Sequence, residues 1–252
     1  MSFKMIASKI SNDNKKSLNG TIIVLSSKNY IFSQASIVSS VLLEDESHLI
    51  HPATSQFVNN NGDAWSNQSL KTNYKSFIGA YNYVNHVQEP DKAVGFIADA
   101  VLRRRILDNE KNLYVFYTDI LVATHRDNET LVSKILNGKV KYLSMGCDAL
   151  VSKCSRCGEV FNDDEDMCNH LFSDKGKYYV DSEGNRRIIA ELLGNEEEGS
   201  VVFTEASWLS MVPAFHGAVS RNNLKIPKGV DIEVEIPNFA MDREAIKQFV
   251  KV

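Results

Sequence analysis

An α+β fold, a mixed sheet or barrel with helices outside, is what this sequence predicts. Three observations predict it. From Ala93 to Ala149, strand-like and helix-like runs alternate as strand, hairpin, strand, helix, strand. Further apolar, β-branched runs lie on either side, at Thr21–Leu25 and Val201–Val212. Between the last two strand-like runs, residues 154 to 195 break the pattern with a polar stretch that holds most of the cysteines, as a small inserted module would. The 252 residues are 43% hydrophobic and 24% charged, enough for one sizeable core plus such a module.

The elements follow in order. Thr21-Ile22-Ile23-Val24-Leu25 predicts a short buried strand, and Ile37 to Leu43 a second. Asn59 to Asp63 predicts a turn, because Asn and Gly enter left-handed backbone conformations cheaply. The aromatic-rich stretch Ser69 to Tyr83 predicts a helix that ends before His86. Val94–Leu107 and Leu113–Ala123 predict paired strands across the polar loop Asp108–Asn112. Asp127 predicts an N-cap, Leu131, Val132, Ile135 and Leu136 the apolar face of the helix behind it, and Asn137-Gly138 its stop. Lys139–Leu150 predicts the strand that carries Ser144. Residues 242 to 250 suit a short amphipathic helix through Ala245, Ile246, Phe249 and Val250. The organisation expected is one domain over 1–252, with an insert at about 153–195 and a C-terminal tail at about 238–252.

Composition narrows the function. A net charge of −4 and an isoelectric point of about 5.9 argue against a dominant nucleic-acid-binding role. No apolar run reaches the roughly 18 residues that span a bilayer. Met1 to Met5 opens no secretory signal, so a reducing cytoplasm is expected, and the four cysteines are expected as ligands or free thiols.

Cys154-Ser155-Arg156-Cys157 is followed by Cys168-Asn169-His170. Two cysteines at i, i+3 form a knuckle that aims both sulfurs at one cation, and the Cys-x-His pair supplies two more ligands. Cys154, Cys157, Cys168 and His170 therefore predict a closed tetrahedral site for structural Zn2+, with no open position for water chemistry. That closure argues against a zinc-dependent hydrolase. Reduced cysteines in a surface loop are the alternative. The acidic loop Asp163 to Asp166 is too small for a core of its own, so metal would have to hold it.

Two short segments carry the remaining chemistry: Asn85-His86-Val87-Gln88-Glu89-Pro90 and Leu143-Ser144-Met145-Gly146-Cys147. A serine hydroxyl is a poor nucleophile until a base removes its proton, so a histidine ahead of one strand and a serine on another raise acyl-transfer chemistry. Gly146 would let a peptide N–H approach a developing oxyanion. Taken singly, each residue reads first as structural.

The order of the segments adds a resemblance. Asn85-His86 through Pro90 to Ala93-Val94-Gly95-Phe96-Ile97 resembles the N-H-D…P-(I/V)-G-x-(I/V) segment of tailed-phage prohead (head maturation) proteases. Leu143 to Cys147 resembles their L-S-x-G-(F/Y) nucleophile segment. Thr204-Glu205-Ala206-Ser207-Trp208-Leu209 with Val212-Pro213-Ala214-Phe215 resembles their later E-(V/I)-S-L-V…P-A segment. The chain departs in having Val87 where the pattern has an acid, Cys147 where it has an aromatic, and the cysteine-rich insert. The resemblance implies a small closed β-barrel wrapped by helices, as in the related herpesvirus assemblins. It implies Ser144 as nucleophile, His86 as general base and Glu205 as third member, with Asp148, His125 and His216 as competitors for that place.

It further implies a serine endopeptidase acting on phage scaffold and major capsid proteins inside the assembling prohead, in the host cytoplasm. Self-association there and self-cleavage, in the segment after Pro237, go with it. A non-catalytic assembly protein on the same barrel, its zinc module contacting protein or nucleic acid, is the alternative. Arg103-Arg104-Arg105 suits an acidic scaffold or simply a soluble strand surface, and Trp65 suits a substrate groove or simple packing.

Overall fold

In the computed structural model the described residues are 21–39, 43–44, 49–50, 59, 61–110, 113–181, 184–193, 201–210, 218–219 and 231–236. Their strands, in chain order, are β1 (Thr21–Ser26), β2 (Tyr30–Ser39), β3 (Leu43–Glu44), β4 (Leu49–Ile50), β5 (Asp63–Trp65), β6 (Tyr81–Val84), β7 (Gly95–Asp108), β8 (Leu113–His125), β9 (Tyr142–Ala149), β10 (Ser152–Cys154), β11 (Val160–Phe161), β12 (Tyr178–Asp181), β13 (Gly184–Arg187), β14 (Ala190–Leu192), β15 (Val201–Leu209), β16 (Ala218–Val219) and β17 (Asp231–Ile236). The α-helices are α1 (Asn67–Asn73), α2 (Glu129–Leu136) and α3 (Asn169–Asp174).

The main sheet has seven strands in the order β16-β9-β15-β6-β7-β8-β2. Every neighbouring pair is antiparallel except β15 with β6, which run parallel. The expected closed barrel is corrected here: the sheet curls into a half-barrel and stays open. Closure would need a ladder between its edges, and at one edge β16 offers only two residues to pair. Among the described residues no helices wrap the sheet: the α-helices there are three and short.

Apolar side chains fill the concave face. Trp65, Phe77, Ile97, Ile120, Leu143, Phe203 and Trp208 form its centre, and Phe77 stacks on Phe203 with centroids 4.0 Å apart. One polar chain crosses this core fully bonded: Trp208 Nε1 donates to Thr124 Oγ1, Thr124 Oγ1 to Asn82 Oδ1, and Asn82 Nδ2 to the Ala206 carbonyl.

A β-bulge in β15 decides where the candidate site lies. Val201 and Phe203 point into the core, and the register to β9 then shifts between Phe203 and Glu205. Thr204 is the extra residue. Beyond it Ala206 and Trp208 take the core positions, so Glu205 and Ser207 turn to the opposite face.

Several expected elements hold: the first strand, the β7–β8 hairpin strands and the strand of Ser144. Helix α2 holds as well, stopped by Asn137 and by Gly138 at φ 74°. Four differ. The second strand begins earlier, at Tyr30. The cap of α2 is Asn128, not Asp127, and its side chain makes no capping bond. The helix expected over Ser69–Tyr83 is only α1, a 3₁₀ turn at Tyr74–Phe77, and then strand β6.

The fourth is the insert, which is not loop-like. A four-stranded sheet, β11-β10-β14-β5, runs through it, with α3 and the β12–β13 hairpin. Cys154, Phe161, Leu171, Ile188 and Ala190 form a small core of its own. Strand β5 joins this sheet to the main body, because Trp65, paired with Leu192, packs at 5.8 Å on Phe203. The C-terminal helix, His216, the Val212–Phe215 segment and the cut after Pro237 lie outside the described residues.

Candidate active site and metal-binding module

The convex face of β9, β15 and β6 gathers the expected catalytic residues. In register, Ser144 lies opposite Ser207, Gly146 opposite Glu205, and Tyr81 and Tyr83 flank Glu205 and Ser207 from β6. Opposed residues of a ladder share a face, so these side chains share one surface.

Glu205 is its centre. Only 1% of the residue is exposed, yet it is a carboxylate. Three donors satisfy it: His86 Nδ1 at 2.6 Å and Gln88 Nε2 at 2.6 Å on Oε1, and Ser207 Oγ at 2.7 Å on Oε2. Burial alone would raise its pKa; the bonds from His86, Gln88 and Ser207 outweigh that and hold it below the usual carboxylate range. The same charge raises the neighbouring Tyr83 phenol, already lifted by burial and by Tyr81, to about 12.

Gly146 makes the room. A Cβ there would sit 2.8 Å from Glu205 Cγ and 3.0 Å from Oε1. The carboxylate therefore occupies the space that any other residue's side chain would fill.

His86 reaches Glu205 from a turn. Val84 to Val87 closes with the Val87 N–H donating to the Val84 carbonyl, and both central residues, Asn85 (φ 53°) and His86 (φ 58°), are left-handed. The bond to Glu205 raises the His86 pKa above its ordinary value, against a smaller opposing effect of burial. An Nδ1–H given to a carboxylate leaves Nε2 as the unprotonated nitrogen, the tautomer a general base requires.

Ser144 shares the face but not the bond network. Among the described residues its hydroxyl has no hydrogen-bond partner, and none links it to His86. Of the competing third members, Asp148 is exposed, four residues further along β9 on the Ser144 face, about 13 Å along the strand. His125 ends β8, where it pairs with Asp127 and packs edge-on against Tyr30. Neither touches His86. No protein-family model, no curated protein and no solved structure matches this chain. The site therefore rests on its own geometry.

Sequence reasoning missed Ser207 and Gln88. For Ser207 a signal was present, since Glu-x-Ser on a strand places both side chains on one face; Gln88 follows the left-handed His86 outside any strand, where no alternation applies.

The cysteine module gathers as its spacing predicts. The ligand atoms of Cys154, Cys157, Cys168 and His170 all lie within 4.8 Å of one another, so the cluster can hold a metal ion. Around a zinc with bonds of ~2.0–2.3 Å, tetrahedral ligand atoms stand roughly 3.3–3.8 Å apart, so the donors fit with small adjustments. His170 Nδ1 is buried and has no hydrogen-bond partner, as a nitrogen reserved for a cation would be. The knuckle is built by Gly158 N donating to the Cys154 carbonyl and by Arg156 N donating to Cys154 Sγ. Burial pushes the Cys154 thiol up to about 12, with the Cys157 and Cys168 thiols adding to the rise against backbone donors; a cation reverses that by binding thiolates. None of these ligands is among the partners of Glu205. Among the described residues no helix is long and apolar enough to cross a membrane.

Proposed function

We propose that this protein is a serine endopeptidase that cleaves scaffold and major capsid proteins during phage prohead maturation, and its own chain with them. One observation carries the reading. Three segments that resemble the prohead proteases supply His86, Ser144 and Glu205: Ser144 and Glu205 share one sheet face, and the histidine is bonded through Nδ1 to that buried, three-donor carboxylate. Buried ionised groups are costly, and sites that retain them are enriched in function.

In this mechanism His86 Nε2 takes the proton of Ser144 as Oγ attacks the scissile carbonyl carbon. Glu205 stabilises the imidazolium, and backbone N–H groups beyond Ser144 meet the oxyanion. Collapse breaks the C–N bond, and His86 gives its proton to the leaving amine. Water, deprotonated by the same histidine, then hydrolyses the acyl-enzyme. The missing Ser144–His86 bond suits a resting enzyme in which that contact tightens with substrate.

We assign Zn2+ to the Cys154, Cys157, Cys168, His170 cluster, as a structural ion. Three thiolates and an imidazole suit it, and four protein ligands leave no position for substrate. The ion's contribution is to hold the module; the residues of the β9–β15 face do the chemistry.

A second reading, a non-catalytic assembly protein on the same fold, is favoured by the unbonded Ser144 hydroxyl. Co-expression with the capsid and scaffold proteins of the same genome separates the two. Wild type is expected to cut them, and Ser144→Ala and His86→Ala to leave them whole. Equal cleavage by wild type and Ser144→Ala overturns the nucleophile assignment.

A further inference from the structure

His86 is held by a residue beside it. The turn that carries it has two consecutive left-handed non-glycine residues, a conformation the local chain disfavours and the surroundings must impose. Asn85 connects it to β15. Its backbone N–H donates to the Trp208 carbonyl at 2.9 Å. Its side-chain Oδ1 accepts from the Ser210 backbone N–H at 2.9 Å and from Ser210 Oγ at 3.0 Å, and its Nδ2 lies 2.7 Å from Ser210 Oγ. Asn85 is exposed, so burial gives no reason for this density of bonds.

The geometry has a consequence. Ser210 and Glu205 belong to one continuous segment, with β15 ending between them at Leu209. A side chain that ties the turn to Ser210 fixes the turn relative to Glu205, the group on which the His86 ring must land. Asparagine suits the position twice over, because it tolerates the left-handed region and carries a donor and an acceptor on one short stem.

We propose that Asn85 is a positioning residue: by clamping the turn to Ser210 it sets the His86 ring on Glu205 with Nε2 directed outward for proton transfer. The proposal rests on the protease reading for its catalytic consequence, but not for its structural one.

The test measures both. In ring-selective 15N NMR of the full chain, wild type is expected to show a bonded His86 Nδ1–H resonance, and Asn85→Ala to lose it while the unfolding midpoint stays nearly constant. Asn85→Asp, which keeps the acceptor for Ser210, is expected to retain the resonance. Asn85→Gly, which keeps only the backbone freedom, is expected to fall between. Ser210→Ala loosens the same clamp from its other side, so the proposal stays testable if one variant misfolds.

In the cleavage assay, Asn85→Ala is expected to lower kcat about 100-fold with little change in KM, the effect of a misplaced catalytic group. Unchanged resonance in both Asn85→Ala and Ser210→Ala overturns the proposal, as does a kcat loss with the resonance intact. Should Ser144→Ala cut as well as wild type, the protease reading falls, while the NMR comparison still decides the role of Asn85.

Discussion

Replacing Gly146 with alanine places one methyl group where the structure has least room for it. The new Cβ would lie 2.8 Å from Glu205 Cγ, 3.0 Å from Glu205 Oε1 and 3.1 Å from Thr204 Oγ1. Ordinary carbon contacts begin near ~3.5 Å, so Glu205 must retreat by about 0.5 Å or more. It has nowhere free to go. Its backbone is paired with Gly146 on one side and Tyr81 on the other, and its oxygens are held by bonds of 2.6 to 2.7 Å. Backbone strain plays no part, since Gly146 lies outside the left-handed region.

Overpacking of this kind costs about 1–3 kcal/mol, and weakening a buried, charge-assisted hydrogen bond adds about 1–2 kcal/mol. Against that, alanine regains roughly 0.5–1 kcal/mol of chain entropy. The net expectation is about 2–3 kcal/mol of destabilisation, or roughly 5–10 °C in Tm for a chain of this size. Urea unfolding of wild type, Gly146→Ala, Glu205→Ala and the double variant measures it. The Gly146→Ala change is expected to be costly when Glu205 is present and nearly neutral in the Glu205→Ala background. An equal cost in both backgrounds would refute the argument that this glycine exists to admit the carboxylate.

Other outcomes follow from the same geometry. The His86 pKa is raised, so its contribution to stability is complete below its unfolded value of 6.5 and lost as pH rises through the folded value. The Glu205 pKa is lowered, so its contribution is complete above 4.5 and lost as pH falls through the folded value. The Tm difference between wild type and Glu205→Gln should therefore be largest between 4.5 and 6.5 and shrink on either side; a flat profile contradicts the pairing. Chelation or Cys154→Ser should lower Tm by about 5 °C or more and shift tryptophan emission to the red, because Trp65 pairs with Leu192 of the module while packed in the main core. Unchanged emission and Tm would remove the metal from the account of stability.

Where the signal is local, the sequence was readable. The β7–β8 strands and α2 with its glycine stop follow from periodicity and end signals within a few residues. The knuckle at Cys154 and Cys157 likewise follows from spacing alone. What failed was set by distant partners. The helix expected over Ser69–Tyr83 yields because Phe77 stacks on Phe203, Ser76 Oγ accepts from the Phe203 N–H, and Tyr81–Val84 pairs with Glu205–Trp208. Those contacts span more than 120 residues of sequence, beyond any local pattern.

The module's strands were invisible for another reason: at two to four residues each, they are too short for an alternation to register. Barrel closure came only from the resemblance, and the two-residue β16 leaves the edge open. In the site, His86, Ser144 and Glu205 were named from sequence, while their supports were not. The roles of Ser207, Gln88 and Gly146 depend on the bulge at Thr204, which turns Glu205 away from the core and which alternation alone could not locate.

The central claim is that Ser144 is a nucleophile activated by His86. Treatment of the purified protein with an organophosphorus serine reagent, followed by peptide mass mapping, tests it directly. Labelling is predicted at Ser144 in wild type, absent in Ser144→Ala and strongly reduced in His86→Ala. Labelling at another serine, or at Ser144 with equal efficiency without His86, would contradict it.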